Sequence, residues 1–177
     1  MSSNRRSFIR NIALGTGALA TSVRVEANEH TDPKEPKTFN MCGFAAPKLA
    51  TVRVGIVGLG QRGPGAVDRL SYIEGVEVKA LCDKYADRVE KAQSILTKKG
   101  LPQAKAYSGE EGWKALCESN DIDLVYVTTP WHLHTPISVY AMKHGKHAAS
   151  EVPAAKTIDE CWELVETSEK TRKHMMM

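Results

Sequence analysis

Cysteine is scarce and scattered: Cys42, Cys82, Cys117 and Cys161 are the only four in 177 residues, and no Cys-x-x-Cys pair occurs. That spacing argues against a zinc site and against a dense disulfide framework. An oxidising compartment would still permit a bridge if two of them met. Long apolar runs are missing as well, so no segment reaches the length of about 18 residues that a membrane-spanning helix needs. Nor does the body of the chain carry an excess of one charge. The formal charge of +3 arises in residues 1–27, where Arg5, Arg6, Arg10 and Arg24 face Glu26 alone, and the remainder is neutral. Such a balance gives no support for a nucleic-acid surface. What is present is an ordinary globular composition, 42% apolar and 25% charged, with 13 Gly and 8 Pro. It excludes a disordered, collagenous or coiled-coil chain, and the length suits one domain with a sizeable core.

Residues 1–27 read as an export address. Asn4-Arg5-Arg6-Ser7-Phe8-Ile9-Arg10 resembles a twin-arginine signal, with paired arginines, a polar residue, Phe-Ile and a basic residue. A short apolar stretch from Ile12 to Ala20 follows, and Val25-Glu26-Ala27 offers a small-residue cleavage site. The expected location is therefore periplasmic. Residues 28–50, with Pro33, Pro36 and Pro47, are expected to form a linker.

From residue 51 strand and helix patterns alternate. Val52 to Val57 is a strand run that ends at Gly58-Leu59-Gly60. Pro64 suits a first helical turn, and Ala66, Val67, Leu70 and Ile73 recur at helical spacing. A strand from Val76 to Leu81 precedes a helix marked by Tyr85, Val89, Ala92 and Leu96, which Gly100 and Pro102 stop. A weak strand spans Ala104 to Tyr107, and Ser108 with Glu111 forms a capping-box pattern ahead of Trp113, Leu116 and Cys117. Ile122 to Val127 is the most apolar strand and is expected at the centre. A helix from Pro136 to His144 ends at Gly145, and His147 to Ser150 makes a fifth strand. Thr157 and Glu160 cap a last helix whose expected buried face is Ile158, Cys161, Trp162 and Val165. Cys117 and Cys161 are thus expected as small core residues. This alternation predicts an α/β fold, a Rossmann-type doubly wound parallel sheet in three αβα layers, over residues 51–177.

The chemistry concentrates at three points. Gly58-x-Gly60-x-x-Gly63 follows a strand and opens a helix. Its first glycine permits the tight turn, the second lets a pyrophosphate approach the backbone, and the third allows close packing of helix on strand. The helix N-terminus adds unpaired amides and a positive dipole. Asp83 ends the second strand 20 residues after Gly63, where a carboxylate can meet the ribose hydroxyls of an adenosine and repel a 2′-phosphate. NAD is therefore expected over NADP, with neighbouring Lys84 as a complication. Arg62 either contacts the phosphates or is a solvated charge. The second point is Thr128-Thr129-Pro130-Trp131-His132-Leu133-His134. It lies beyond the fourth strand, where a doubly wound sheet opens its ligand crevice. His132 and His134 have no carboxylate or cysteine at useful spacing, so no metal is expected, and His134 is placed near the nicotinamide rather than as a passive cap. His144 and His147 are expected to be structural or solvent-exposed. The third point is Glu151-Val152-Pro153 at the end of the fifth strand.

With these residues in view, residues 51–177 resemble the N-terminal half of the glucose–fructose oxidoreductase/inositol dehydrogenase (Gfo/Idh/MocA) family. The likeness is carried by Val54-Gly55-Ile56-Val57-Gly58-Leu59-Gly60, by Thr129 to His134, and by Ala141-Met142-Lys143-His144-Gly145-Lys146-His147 leading to Glu151-Val152-Pro153. Ordinary dehydrogenases of that family have Glu-Lys-Pro at the last motif, with the Lys in proton transfer. Val152 stands there instead, and an aliphatic side chain is neither acid nor base. Glu151-Val152-Pro153-Ala154-Ala155 and the stretch from Glu160 to His174 resemble glycoside hydrolase family 109, the NAD-dependent α-N-acetylgalactosaminidases.

That resemblance implies hydrolysis by oxidation, elimination, addition and reduction, with NAD regenerated in each turnover and without the usual carboxylate pair. It implies cofactor contacts at Gly58, Gly60, Gln61, Arg62 and Gly63, at Asp83, at Trp131, His132, Leu133 and His134, and at Glu151 and Val152. In a full-length version Val152 is expected beside the nicotinamide, in a site shielded from water. The family's second, sugar-binding domain and its catalytic residues are expected beyond residue 177, so this chain alone is expected to turn over little. A sugar dehydrogenase of the same family, and an inactive nucleotide-binding fragment, remain as alternatives. The implied partner is a small sugar or glycan, with no nucleic acid and no transmembrane anchor.

The leader is open to direct test. A twin-arginine receptor reads the pair as an address, so Arg5→Lys together with Arg6→Lys should hold the precursor in the cytoplasm on cell fractionation. Unchanged periplasmic delivery of the double variant rejects that route.

Overall fold

The computed structural model describes residues 39–177; the proposed signal and the first part of the linker lie outside the described residues. Six strands, β1 (Val52–Val57), β2 (Val76–Asp83), β3 (Lys105–Ser108), β4 (Leu124–Val127), β5 (His147–Ser150) and β6 (Met175–Met176), form one sheet in the order β3-β2-β1-β4-β5-β6. Every strand pair is parallel. Five α-helices connect them: α1 (Gly63–Leu70), α2 (Ala86–Lys98), α3 (Gly112–Glu118), α4 (His134–Lys143) and α5 (Ile158–Thr171). A 3-10 turn, Trp131–Leu133, runs directly into α4.

Two apolar clusters explain why the sheet is covered on both faces, as a parallel sheet must be. Val54, Ile56 and Leu81 project from the sheet into one cluster with Val67 of α1 and Val89, Ala92 and Leu96 of α2. Ala80, Val125, Val127 and Ala148 project into the other with Leu116, Cys117, Ile137, Met142 and Leu164 of α3, α4 and α5. The result is the three-layer αβα fold that the sequence pattern predicts. The chain order moves from β3 across to β4, so β1 and β4 lie side by side with their connections leaving in opposite directions. Their carboxyl ends open the crevice described below.

Several local expectations fail, each for a visible reason. α1 stops at Leu70, so Ile73 falls in the following turn and is exposed. Tyr85 precedes α2 as its N-cap and is likewise exposed. The capping box at Ser108 and Glu111 does not form: Ser108 is still paired to Asp83 in β3, and Glu111 instead bonds Lys114. The α4 helix begins at His134, before Pro136, because the 3-10 turn feeds it. The capping box of Thr157 and Glu160 is present.

The largest correction concerns α5. Ile158, Trp162 and Val165 are 76%, 61% and 46% exposed, and Cys161 is exposed with them. The face turned to the core is Leu164, Thr167 and Ser168. Ser168 Oγ donates to the Lys173 carbonyl, so this polar member of the face enters with its hydroxyl satisfied. Cys82 and Cys117 are fully buried, and burial pushes both thiols up to about 12. The described part of the linker has no helix or strand. It still packs: Phe44 lies 5.2 Å from the His174 ring, which itself stacks on His147.

The inverted face of α5 predicts an inverted mutational pattern. Leu164→Ala should cost about 2–4 kcal/mol as a buried truncation, whereas Trp162→Ser should stay within about 0.5 kcal/mol as a surface change. Denaturant unfolding of the two variants checks the order.

Candidate functional site: a crevice at the carboxyl ends of β1 and β4

The crevice starts with the glycine loop. Gly58 has φ +95°, and a Cβ there would stand 2.7 Å from the Thr128 carbonyl carbon. The loop after β1 therefore lies directly against the loop after β4. At Gly63 a Cβ would come within 2.2 Å of the Gly58 carbonyl oxygen, so only glycine lets α1 begin this close to the strand end. At Gly60 the nearest atom to such a Cβ is Arg88 Nη1 at 3.4 Å, and the missing side chain leaves the backbone open from the crevice side. α1 has Pro64 in its first turn, no side-chain cap and no acidic residue there. Its first amides and dipole are left to an anion.

Asp83 ties this loop to β2. Its carboxylate is 5% exposed and accepts from Leu59 N–H at 2.6 Å and from Tyr85 N–H at 3.0 Å. An ionised carboxylate has about four acceptor positions, so two bonds leave capacity for a ligand. Arg88 Nη1 approaches it at 3.5 Å, and that guanidinium lies over the Tyr85 ring at 4.8 Å. Lys84 is engaged elsewhere. It pairs with Glu110, which raises its pKa. The cation beside the predicted ribose position is thus Arg88, which the sequence reading missed. Its signal was a basic residue in the first turn of α2, on the side of the helix nearest Asp83.

Two lobes make up the crevice. A lobe of about 310 Å³ is lined by Lys84, Tyr85, Trp113, His132 and Leu133 among others, and one of about 560 Å³ by Gly60, Gln61, Arg62, Trp131, His134, Glu151 and Val152. Gly58, Asp83, Arg88, Thr129 and Pro130 line both, so the lobes are continuous. Of the predicted site residues, Gly63 alone lies behind this lining, where it sets the start of α1.

His134 lines the larger lobe with Glu151 and Val152 and also ties two loops together. It is 1% exposed, with Nδ1 2.7 Å from the Pro153 carbonyl oxygen and Nε2 2.8 Å from that of Thr129. Both ring nitrogens face backbone carbonyl oxygens, and the ring N–H donates to one of them. The side chain clasps the loop after β4 to the loop after β5. In this chain Val152 is 62% exposed on the rim of the larger lobe, whose lining it shares with the 63% exposed Trp131. Glu151 carries a bond the sequence did not announce, accepting from Tyr126 Oη at 2.9 Å.

A dinucleotide fits these residues. The open backbone at Gly60 and the uncapped α1 suit a pyrophosphate, and Asp83 retains acceptor capacity for ribose hydroxyls. Thr129 Oγ1, in the wall common to both lobes, is buried without a hydrogen-bond partner. A buried hydroxyl in that state is an open position for a ligand group. Among the described residues, no group of three or more His, Cys, Asp or Glu is placed to hold a metal ion.

Comparison with known proteins agrees with the geometry. Residues 52–177 match the Gfo/Idh/MocA model, described as an oxidoreductase family with an NAD-binding Rossmann fold. A glycosyl hydrolase family 109 protein of Porphyromonas gingivalis is 63% identical over 132 residues, covering 74% of this chain and 28% of that protein. An α-N-acetylgalactosaminidase of Bacteroides fragilis is 52% identical over 144 residues, covering 81% of this chain and 34% of that protein. The chain thus spans about a third of the length of the curated relatives it matches. Among solved structures, a 3-ketoreductase from Actinomadura kijaniata in complex with NADP and TDP-benzene superposes with a TM-score of 0.61 at 25% identity, over 71% of this chain and 37% of that one.

Asp83 beside Arg88 predicts how the crevice discriminates. Asp83→Asn keeps the shape, removes the charge that repels a 2′-phosphate, and frees Arg88 to meet one. NAD affinity should fall by about 1–2 kcal/mol, the scale of a charge-assisted hydrogen bond, while NADP loses less or gains. Calorimetric titration with both nucleotides reads this; an unchanged ratio removes Asp83 from the ribose.

Proposed function

The chain belongs to the Gfo/Idh/MocA oxidoreductase family, with its NAD-binding Rossmann fold, and on that premise we propose that it is the cofactor-holding part of an NAD-dependent glycosidase acting on α-N-acetylgalactosaminides. The observation that carries the reading is Val152. At the end of β5, on the rim of the larger lobe, the chain has an aliphatic side chain where a simple dehydrogenase of this family needs a proton-transfer group. The curated relatives that bear the hydrolase name support the same choice.

NAD, when bound, supplies a hydride acceptor that is restored before product leaves, so net hydrolysis consumes no cofactor. The chain's own residues hold and orient. The Gly58–Gly63 loop with Gln61, Arg62 and the α1 terminus takes the pyrophosphate, by backbone amides that need no side-chain motion. Asp83 takes the adenosine ribose. Trp131 and Glu151 flank the nicotinamide side in the larger lobe, His132 and Leu133 line the smaller lobe beyond Asp83 on the adenine side, and His134 fixes the distance between the loops after β4 and β5. The exposed Trp131 and Val152 leave the rim apolar, a surface suited to a sugar ring face. No side chain of this chain is assigned a proton-transfer role at the sugar. The leader is proposed to direct export by the twin-arginine route to the periplasm.

The decisive measurement joins this domain to the remaining length of the Bacteroides fragilis relative and follows a nitrophenyl α-N-acetylgalactosaminide. Nitrophenol should be released with no net NADH. Stoichiometric NADH from a free sugar, with no glycoside cleaved, would favour a sugar dehydrogenase instead.

A further inference from the structure

Along β4 the side chains alternate. Val125 and Val127 are fully buried in the cluster under α3 and α4, while Leu124 and Tyr126 project to the opposite face, against the cluster that includes Val67 of α1. Tyr126 pairs in register with Ala149 of β5. Glu151, two residues further on, emerges on that same face just past the strand end. The Tyr126 phenol spans the gap, and its Oη donates to Glu151 Oε1 at 2.9 Å. Phenylalanine would fill the same half-buried space; the hydroxyl is what the packing does not require. Burial, and then the Glu151 carboxylate, raise the Tyr126 pKa above its ordinary value, against an opposing contribution from Arg69 of α1. The phenol therefore keeps its proton and acts as the donor throughout the neutral range.

We infer that Tyr126 is a positioning residue for Glu151. It holds one carboxylate oxygen against the sheet so that the other is presented to the hydroxyl groups of the dinucleotide at the β5 end of the crevice. The inference rests on the reading of the crevice as the NAD site. Glu151 lines the larger lobe with Val152 and Trp131, whereas Tyr126 lines neither lobe, so Tyr126 acts on the ligand through a neighbour, and its hydrogen-bond partner Glu151 is the one in the lining. A carboxylate left free on a loop loses rotamer freedom when it binds, and one already fixed by a donor loses less.

The test is a double-mutant cycle on NAD affinity, by calorimetric titration of the whole 177-residue chain: parent, Tyr126→Phe, Glu151→Ala and the double variant. Tyr126→Phe should weaken NAD by about three- to tenfold, within the range of one net hydrogen bond. Glu151→Ala should weaken it by about tenfold or more, and the double variant should be no weaker than Glu151→Ala alone, because the two residues act as one unit. Thermal unfolding run in parallel separates a general loss of stability from this coupling. Additive effects, or a Tyr126→Phe variant with parental affinity, overturn the positioning role while leaving the NAD site intact. A parent chain without saturable NAD binding overturns the NAD reading and this role with it.

Discussion

The Asp83 carboxylate accepts the Leu59 amide at 2.6 Å across 24 residues of sequence, and the crevice is built outward from that bond. It fixes the glycine loop to the end of β2, reinforced by Gly58 N–H donating to the Cys82 carbonyl at 2.8 Å. With the loop held there, the absence of a Cβ at Gly63 lets α1 start against the Gly58 carbonyl, and the absence of one at Gly58 lets the β4 exit loop close on it. The same carboxylate lines both lobes of the crevice. One buried side chain thus sets the backbone of the binding loop through two hydrogen bonds, to Leu59 and Tyr85.

On the other side of the switch point the clasp is a histidine. His134 reaches two carbonyl oxygens on loops that leave neighbouring strands, so the β4 and β5 exits are spaced by a rigid ring. Thr128 continues the tie, its N–H donating to the Val57 carbonyl at 2.8 Å and its hydroxyl to the Gly58 carbonyl. These bonds satisfy backbone groups that the loops would otherwise bury unpaired. They also leave the larger lobe walled by backbone and by Glu151, with apolar Trp131 and Val152 at its lip.

Much of this was legible from short-range pattern. Strand and helix order, the parallel sheet, the glycine loop and the capping box of α5 each depend on signals spread over a few residues: β-branched runs, φ freedom at Gly58, Thr157 three residues before Glu160. Where expectation failed locally, two signals competed. Ser108 had the chemistry of a cap but was held by β-pairing to Asp83. On α5, the apolar stripe Ile158, Trp162 and Val165 matched helical spacing as well as the stripe that is buried.

The sequence by itself determined the fold class, the position of the glycine loop and the acid at the end of β2, because each follows from residue type within one β-α unit; the meaning of Val152 came from the family resemblance alone. Only the tertiary structure decided which face of α5 meets the core, that Arg88 and not Lys84 stands beside Asp83, that the His134 ring sits between the Thr129 and Pro153 carbonyls, and that Tyr126 donates to Glu151. Those outcomes depend on strand register and on which helix packs over which strand. Two of these contacts, Pro153–His134 and Tyr126–Glu151, join residues 19 and 25 positions apart, and no local periodicity encodes a distance between elements that meet only after the sheet has formed.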